Sequence, residues 1–363
     1  MDFLGLSKTL MTLILGTVGL ALFCIVIGLF YKGIDRKISA RMQGRIGPPI
    51  RQPFRDLAKL FSKENIVPEN AIPWIFNLAP LVGLAATISI LLYLPIGGFE
   101  PLASTKGDLI LILYLLIIPS LAMVIGGFAS GSPYAIVGAQ REMATMIAYE
   151  FPLAVIIIAI VWKIGGVSAG TLGLANAFTL TAITANPIWN IVTIVGFIGA
   201  ILLLIVLTIV TPAELSKIPF DAAEAETEIG GGLLVEYSGR NLAMFYLMDS
   251  VKTVVMATII VALFFPYKLS PVLNNLYPVF GPETIPAYII DIVFFLLKVL
   301  IVIIFSVTLI RVAVARLKID QIVYTYWVWL TLIALVGLIC FMWEGWLIYQ
   351  FKLPTVAQML GLT

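Results

Sequence analysis

IVTIVGFIGAILLLIVLTIV, residues 191–210, runs for twenty residues without a charge. A helix needs about 18–20 apolar residues to cross the hydrocarbon core of a bilayer. Lipid offers no partner to backbone N–H and C=O groups, so a spanning segment must be a helix or part of a closed barrel. Barrel strands alternate apolar and polar over about ten residues, and this run does not alternate. Comparable runs recur on either side, giving spans at roughly 9–31, 73–95, 108–130, 140–162, 188–212, 240–265, 286–310 and 322–350. The first is too long for the apolar stretch of a cleaved leader and has no basic start. The chain is 61% hydrophobic and 12% charged, where a soluble domain carries about a quarter charged residues. These features predict an all-α polytopic membrane protein of about eight transmembrane helices, folded as a single membrane domain over residues 1–363.

The two cysteines, Cys24 and Cys340, lie inside apolar runs, and there is no histidine. That excludes thiolate or imidazole metal clusters, haem ligation and a Ser-His-Asp triad within this chain. Fifteen of the 22 Lys and Arg residues fall in or beside the connections after the first, third, fifth and seventh spans. The positive-inside rule then puts loops 32–72 and 213–239 in the cytoplasm and both termini outside. The expected location is the cell (plasma) membrane.

In the first loop, Gly44, Gly47, Pro48 and Pro49 break any helix. Pro53 suits a helix start. Phe54, Leu57, Ala58 and Phe61 then fall on one face and Arg51, Arg55, Lys59 and Lys63 on another. This predicts an amphipathic helix lying in the interface. Its basic residues, with Arg45, either anchor on anionic lipid or dock a cytoplasmic partner. No second basic patch supports nucleic-acid binding.

Six of the 20 acids, Glu214, Asp221, Glu224, Glu226, Glu228 and Glu236, crowd into residues 214–236. Asp221 has the type and position of a helix N-cap, with Glu224 at the capping-box position. Over a helix from there, Asp221, Glu224 and Glu228 would share a face and Glu226 would point away. Gly230, Gly231 and Gly232 permit a sharp turn or the close approach of another backbone. Capping leaves Glu214, Glu226, Glu228 and Glu236 unexplained. A solvated face and a proton-handling inlet both fit them.

Charges at membrane depth usually face a partner or a water path. Glu150 lies near mid-bilayer in the fourth span, beside Pro152, and has no basic residue one helical turn away. A lone carboxylate there suits a proton carrier better than a strut. Glu142 and Tyr149 share a face of that helix. Asp249 and Lys252, three apart, are spaced to pair, and Asp291 and Lys298 share a face of the seventh span. Such pairs either fix helix packing or belong to an ion path. Arg311, Arg316 and Lys318 are topology signals by default. The aromatics around Glu344 look like an interfacial belt, which would bring Glu344 to the outer surface.

Two long motifs and two short ones carry a family resemblance. GRIGPPIRQPFRDLAKLFSKE (44–64) and AELSKIPFDAAEAETEIGGGLLVEYSG (213–239), with YEFPL (149–153) and ARLKIDQI (315–322), resemble the eight-helix subunit at the heel of respiratory complex I, in order along almost the whole chain. The resemblance implies a subunit joining a peripheral redox arm to an ion-moving membrane arm. It implies proton-path roles for Glu142, Glu150, Glu214, Glu224, Glu226 and Glu228; Asp249, Lys252, Asp291 and Lys298 are proton-path candidates from their place inside the spans alone. Arg45, Arg51, Arg55, Lys59 and Lys63 are the candidate partner-facing set, with Asp221 and Glu236, which match the motif and for which a structural role is the alternative. No cofactor is expected in this chain. Iron–sulfur clusters, and in one branch a nickel–iron centre, belong to hydrogenase-like peripheral partners. Antiporter-like membrane subunits and lipid are the other expected neighbours. Pro49, Ile50 and Arg51 alone separate Pro48 from Gln52, a shorter loop than in quinone-reducing members, and Lys217 stands where those carry Arg. RMQGRIGPPIRQPF is closer to membrane-bound nickel–iron hydrogenases and their ferredoxin-fed relatives, including sulfur-reducing complexes. A quinone-binding complex I subunit and a stand-alone secondary transporter are the competing readings.

Overall fold

The computed structural model describes residues 3–168, 177–274, 284–351 and 358. Eight helices among them are long and apolar enough to cross a membrane. No strand occurs among the described residues beyond an isolated bridge between Ile96 and Phe99. The extreme termini, whose outward placement the charge pattern predicts, lie outside the described residues.

α1 spans Phe3–Met42, so the first span does not end at residue 31 and residues 32–42 are helix rather than loop. The reason is local. Lys32, Asp35 and Arg36 repeat at helical spacing, and each finds a partner on a neighbouring element: Asp249, Thr308 and Asp56 respectively. The amphipathic helix α2 (Gln52–Phe61) follows, with proline in its first turn. Its inward residues are Pro53, Leu57 and Leu60, which line a cavity with Leu29, Leu242 and Tyr246, while Ala58 and Phe61 are exposed. The inward stripe is therefore rotated from the expected Phe54–Leu57–Ala58–Phe61 face. Asp56, held by Arg36 at 3.1 Å and Gln52 at 2.8 Å, turns that side of the helix towards α1. Arg45, Arg51, Arg55, Lys59 and Lys63 are all exposed.

α3 (Pro73–Leu91) and α4 (Asp108–Ala129) form a helical hairpin. α5 (Pro133–Ser168) runs unbroken through Pro152. Two short helices, α6 (Leu180–Ala185) and α7 (Ile188–Ile191), precede α8 (Ile194–Glu214). The fifth span thus starts after a break at Val192–Thr193, later than expected. After α9 (Glu226–Ile229) comes α10 (Gly239–Phe264), the most enclosed span and the centre of the bundle. α11 (Ser270–Asn274) is short. α12 (Ile285–Ile303) continues through a π-helical turn, Ile304–Thr308, into α13 (Leu309–Ala313). α14 (Ile319–Tyr324) does likewise through Thr325–Leu330 into α15 (Thr331–Phe351). The principal core cluster includes apolar side chains of α5, α8, α10 and the last span, among them Leu153, Leu207, Val255 and Tyr326.

Candidate functional site

A cavity of about 400 Å³ opens between α1, the 215–234 segment, the first half of α10 and residues 311–316. Its wall sets six acids (Asp35, Glu214, Asp221, Glu224, Glu226, Asp249) against six bases (Lys32, Arg36, Lys217, Lys252, Arg311, Arg316). Ligand pockets are mostly apolar with a few placed polar groups; this one is the reverse.

The outer tier is organised by three carboxylates. Asp249 Oδ2 takes Lys32 Nζ and Lys217 Nζ, each at 2.7 Å. Asp35 accepts Thr308 Oγ1 at 2.6 Å and Arg311 Nη1 at 3.2 Å. Asp221 takes Arg316 through Nε at 2.9 Å and Nη2 at 2.5 Å, and Arg316 reaches on to Thr227 at 2.9 Å. Asp249 and Lys252 do not pair with one another: each meets an opposite charge on another element. Asp221 is no N-cap and, buried against Arg316, is not a free partner-facing group. Residues 222–225 turn instead of coiling, and α9 is a single turn with Ala225 at its cap. Gly232 fixes this path. Its φ is +52°, and a Cβ there would overlap the Ala223 carbonyl oxygen, so the chain can fold back only on glycine.

With one turn instead of a helix, Glu226 and Glu228 exchange their expected places while Asp221 and Glu224 stay together. Glu224 and Glu226 line the cavity, whereas Glu228 points out, 45% exposed, to Arg141 Nη1 at 2.5 Å. Glu236 is part-buried and away from the cavity. Loss of water pushes the Glu224 carboxyl up to about 7, against the pull of Lys217. Burial alone would lower Lys217, but the Asp249 carboxylate holds its ammonium above the ordinary lysine value.

Of the charged residues in the wall, the most buried, together with Glu214, is Lys252. Its Nζ lies 2.8 Å from Glu214 Oε1, both side chains being 2% exposed, and it donates to Ser120 Oγ at 2.9 Å. Ser120 Oγ is 3.2 Å from the Tyr149 hydroxyl. Ser216 Oγ donates to Glu142 Oε1 at 3.4 Å. Glu214, Lys252 and Tyr149 are thus gathered in one buried cluster, and Glu142 is buried beside Ser216, two residues on from Glu214. Glu150 follows Tyr149 directly. It is part-buried, Lys252 and Glu214 act on it electrostatically, and its Oε1 has no hydrogen-bond partner among the described residues.

Three expected positions lie elsewhere. Asp291 accepts the Leu269 and Ser270 N–H groups at 3.0 and 2.9 Å and Ser270 Oγ at 2.7 Å, so it caps α11. Lys298 Nζ donates to the Phe265 and Tyr267 carbonyls, both at 2.8 Å, just past the end of α10. Helix ends leave such backbone groups without partners, and these two side chains satisfy them instead of pairing. Both border a separate cavity of about 330 Å³. Glu344, expected at the surface, is fully buried. It pairs with Lys163 at 2.7 Å and accepts the Thr193 N–H that opens α8.

Sequence reading missed Lys32, Asp35 and Arg36 and took Arg311 and Arg316 for topology signals. Their signal was present: Lys32, Asp35 and Arg36 continue the helical spacing of the first apolar run. Among the described residues no group of three or more His, Cys, Asp or Glu is arranged to hold a metal ion.

Eight candidate spans and a cavity lined by charged residues define a polytopic membrane protein with a charged interior. The family model described as NADH dehydrogenase matches residues 15–342, and the chain belongs to that family. It is 33% identical over 326 residues to an NADH-quinone oxidoreductase subunit of Brevibacillus brevis, covering 88% of this chain and 89% of that one. With the equivalent NADH-quinone oxidoreductase subunit of Syntrophotalea carbinolica it shares 29% identity over 363 residues, 95% and 100% of the two chains. A chain of the membrane-bound sulfane sulfur reductase, an archaeal respiratory membrane complex, superposes with a TM-score of 0.74 at 29% identity, covering 91% of this chain and 99% of that one. The protein is a membrane subunit of a complex I-like complex.

Proposed function

We propose that this chain is the coupling subunit of a ferredoxin-dependent or hydrogenase-like respiratory complex. It anchors a peripheral iron–sulfur arm on its cytoplasmic face and passes protons into the membrane arm. The observation that carries this reading is the chain of polar contacts from the cavity through Glu214, Lys252 and Ser120 to Tyr149, whose sequence neighbour is Glu150. Glu150 neighbours the exposed apolar residues Ile147, Phe151 and Ile158. A part-exposed carboxylate at membrane depth is costly against lipid, so this flank suits an antiporter-like membrane neighbour that takes the path onward. The exposed bases of α2 and Arg45 suit a docked peripheral subunit. Redox centres, iron–sulfur clusters and any nickel–iron site belong to partners in this reading.

The relatives' names favour a second reading, a quinone-binding subunit. Against it, six acids and six bases in the wall suit water and moving protons better than an apolar ring and tail. A stand-alone transporter fits poorly with an uncovered Glu150. The experiment is reconstitution of the purified assembled complex in liposomes. Electron transfer should build an ion gradient. The chain purified alone should build none under any imposed gradient, and bound quinone should be absent from extracts of the complex. Gradient formation by the lone chain would overturn the reading.

A further inference from the structure

The second cavity, about 330 Å³, lies at the other end of α10 from the charged one, against Val261 and Ala262 and the Gly97–Gly98 turn. Its volume is in the range of small-molecule sites. Its charged lining is Glu100, Lys268, Asp291 and Lys298. Glu100 is exposed. Asp291 is spent within the protein, its two oxygens taken by the Leu269 and Ser270 N–H groups and the Ser270 hydroxyl.

The lysines are not spent. An ammonium carries three N–H donors. Lys298 Nζ gives two, to the Phe265 and Tyr267 carbonyls, and Lys268 Nζ gives one, to the Gly98 carbonyl at 3.1 Å. Neither forms a salt bridge among the described residues. The cavity therefore asks for a ligand rich in acceptor oxygens. Much of its remaining wall is apolar, including Phe99, Val261, Ala262 and Phe295. α12, which carries Asp291 and Lys298, also shows Ile285, Ile289, Val293 and Leu297, all more than half exposed. Spaced by four, these form one apolar stripe along the helix.

We propose that this cavity holds the phosphodiester headgroup of an anionic lipid, with Lys268 and Lys298 donating to its oxygens and the acyl chains lying along the α12 stripe. Lysine binds phosphate as a point charge, and its long stem carries the ammonium from within a span to headgroup level. A free phosphate ion offers the same oxygens but gains nothing from the apolar wall or the stripe. The site is remote from the charged cavity and does not depend on the coupling reading.

The test uses the purified complex, washed in detergent and titrated with phosphatidylglycerol or phosphatidylcholine, the bound lipid being counted by native mass spectrometry. The difference between variant and wild type isolates this site from other bound lipid. Wild type should prefer phosphatidylglycerol. Lys268→Ala should weaken its binding about fivefold, the share expected of one lysine, whereas Lys106→Ala, at an exposed lysine outside the cavity, should not. Lys298→Met should match Lys268→Ala; should it fail to assemble because the Phe265 and Tyr267 carbonyls lose their donor, Lys268→Ala decides alone. Millimolar inorganic phosphate should leave the lipid in place. Equal affinity of Lys268→Ala and wild type, or displacement of the lipid by inorganic phosphate, overturns the proposal.

Discussion

Lys252 Nζ and Glu214 Oε1 lie 2.8 Å apart with both side chains 2% exposed, so neither charge can fall back on water. Breaking a buried pair from one side costs about 3–5 kcal/mol, because the survivor is left uncompensated. Lys252→Met should therefore lower the thermal stability of the purified complex strongly. Adding Glu214→Gln should recover most of the loss, giving a coupling energy well above that of two independent sites.

Arg316 ties the 315–318 turn to the acidic segment through Asp221 and Thr227. Arg316→Ala should leave α10 untouched and loosen residues 215–238. Hydrogen exchange in that segment should accelerate at least tenfold, since losing a charge-assisted bond of about 1.5–3 kcal/mol raises the open population by that order or more. Unchanged protection would mean that backbone packing alone holds the segment.

Much of this was legible in the sequence, and the failures have one cause. Apolar run length gave eight spans, and the density of acids at 214–236 marked the cavity wall. Spacing arguments failed wherever they assumed that a charge pairs on its own helix. Asp249, Lys252, Asp291 and Lys298 each found a partner on another element, and Glu344, expected at the outer surface, pairs with Lys163 inside. In a bundle of long helices the neighbouring helix is as near as the next turn, and one sequence does not state which helices adjoin. Asp221 failed as a cap because Gly232 brings the chain back onto Ala223, a tertiary contact that overrides the local signal.

Glu224 titrates near 7, raised by burial from its ordinary 4.5. The native state holds a proton that the unfolded chain has released above 4.5. Its contribution to stability therefore falls as pH rises from 4.5 to 7 and is flat beyond. Glu224→Gln cannot ionise and should remove that fall. A pH series of melting temperatures for variant and wild type should converge near pH 4.5 and separate towards 7, the variant being the more stable.

Lys163 and Glu344 are 6% and 0% exposed and 2.7 Å apart, remote in sequence from the cavity. They serve as a control for generic damage. Lys163→Met should cost about 3–5 kcal/mol of stability, as for any broken buried pair. The ions moved per electron by the complex that survives should stay at the wild-type value.

In the proposed function Glu150 is where the proton path leaves the chain, so it is the residue whose removal is most informative. The decisive measurement is the number of ions translocated per electron by the reconstituted complex carrying Glu150→Gln, a change that keeps the side-chain shape and removes only its titration. Electron transfer should run at near the wild-type rate when the gradient is collapsed by an uncoupler, with translocation lost or cut by more than half. A wild-type ion-to-electron ratio in that variant would contradict a proton path through Glu150.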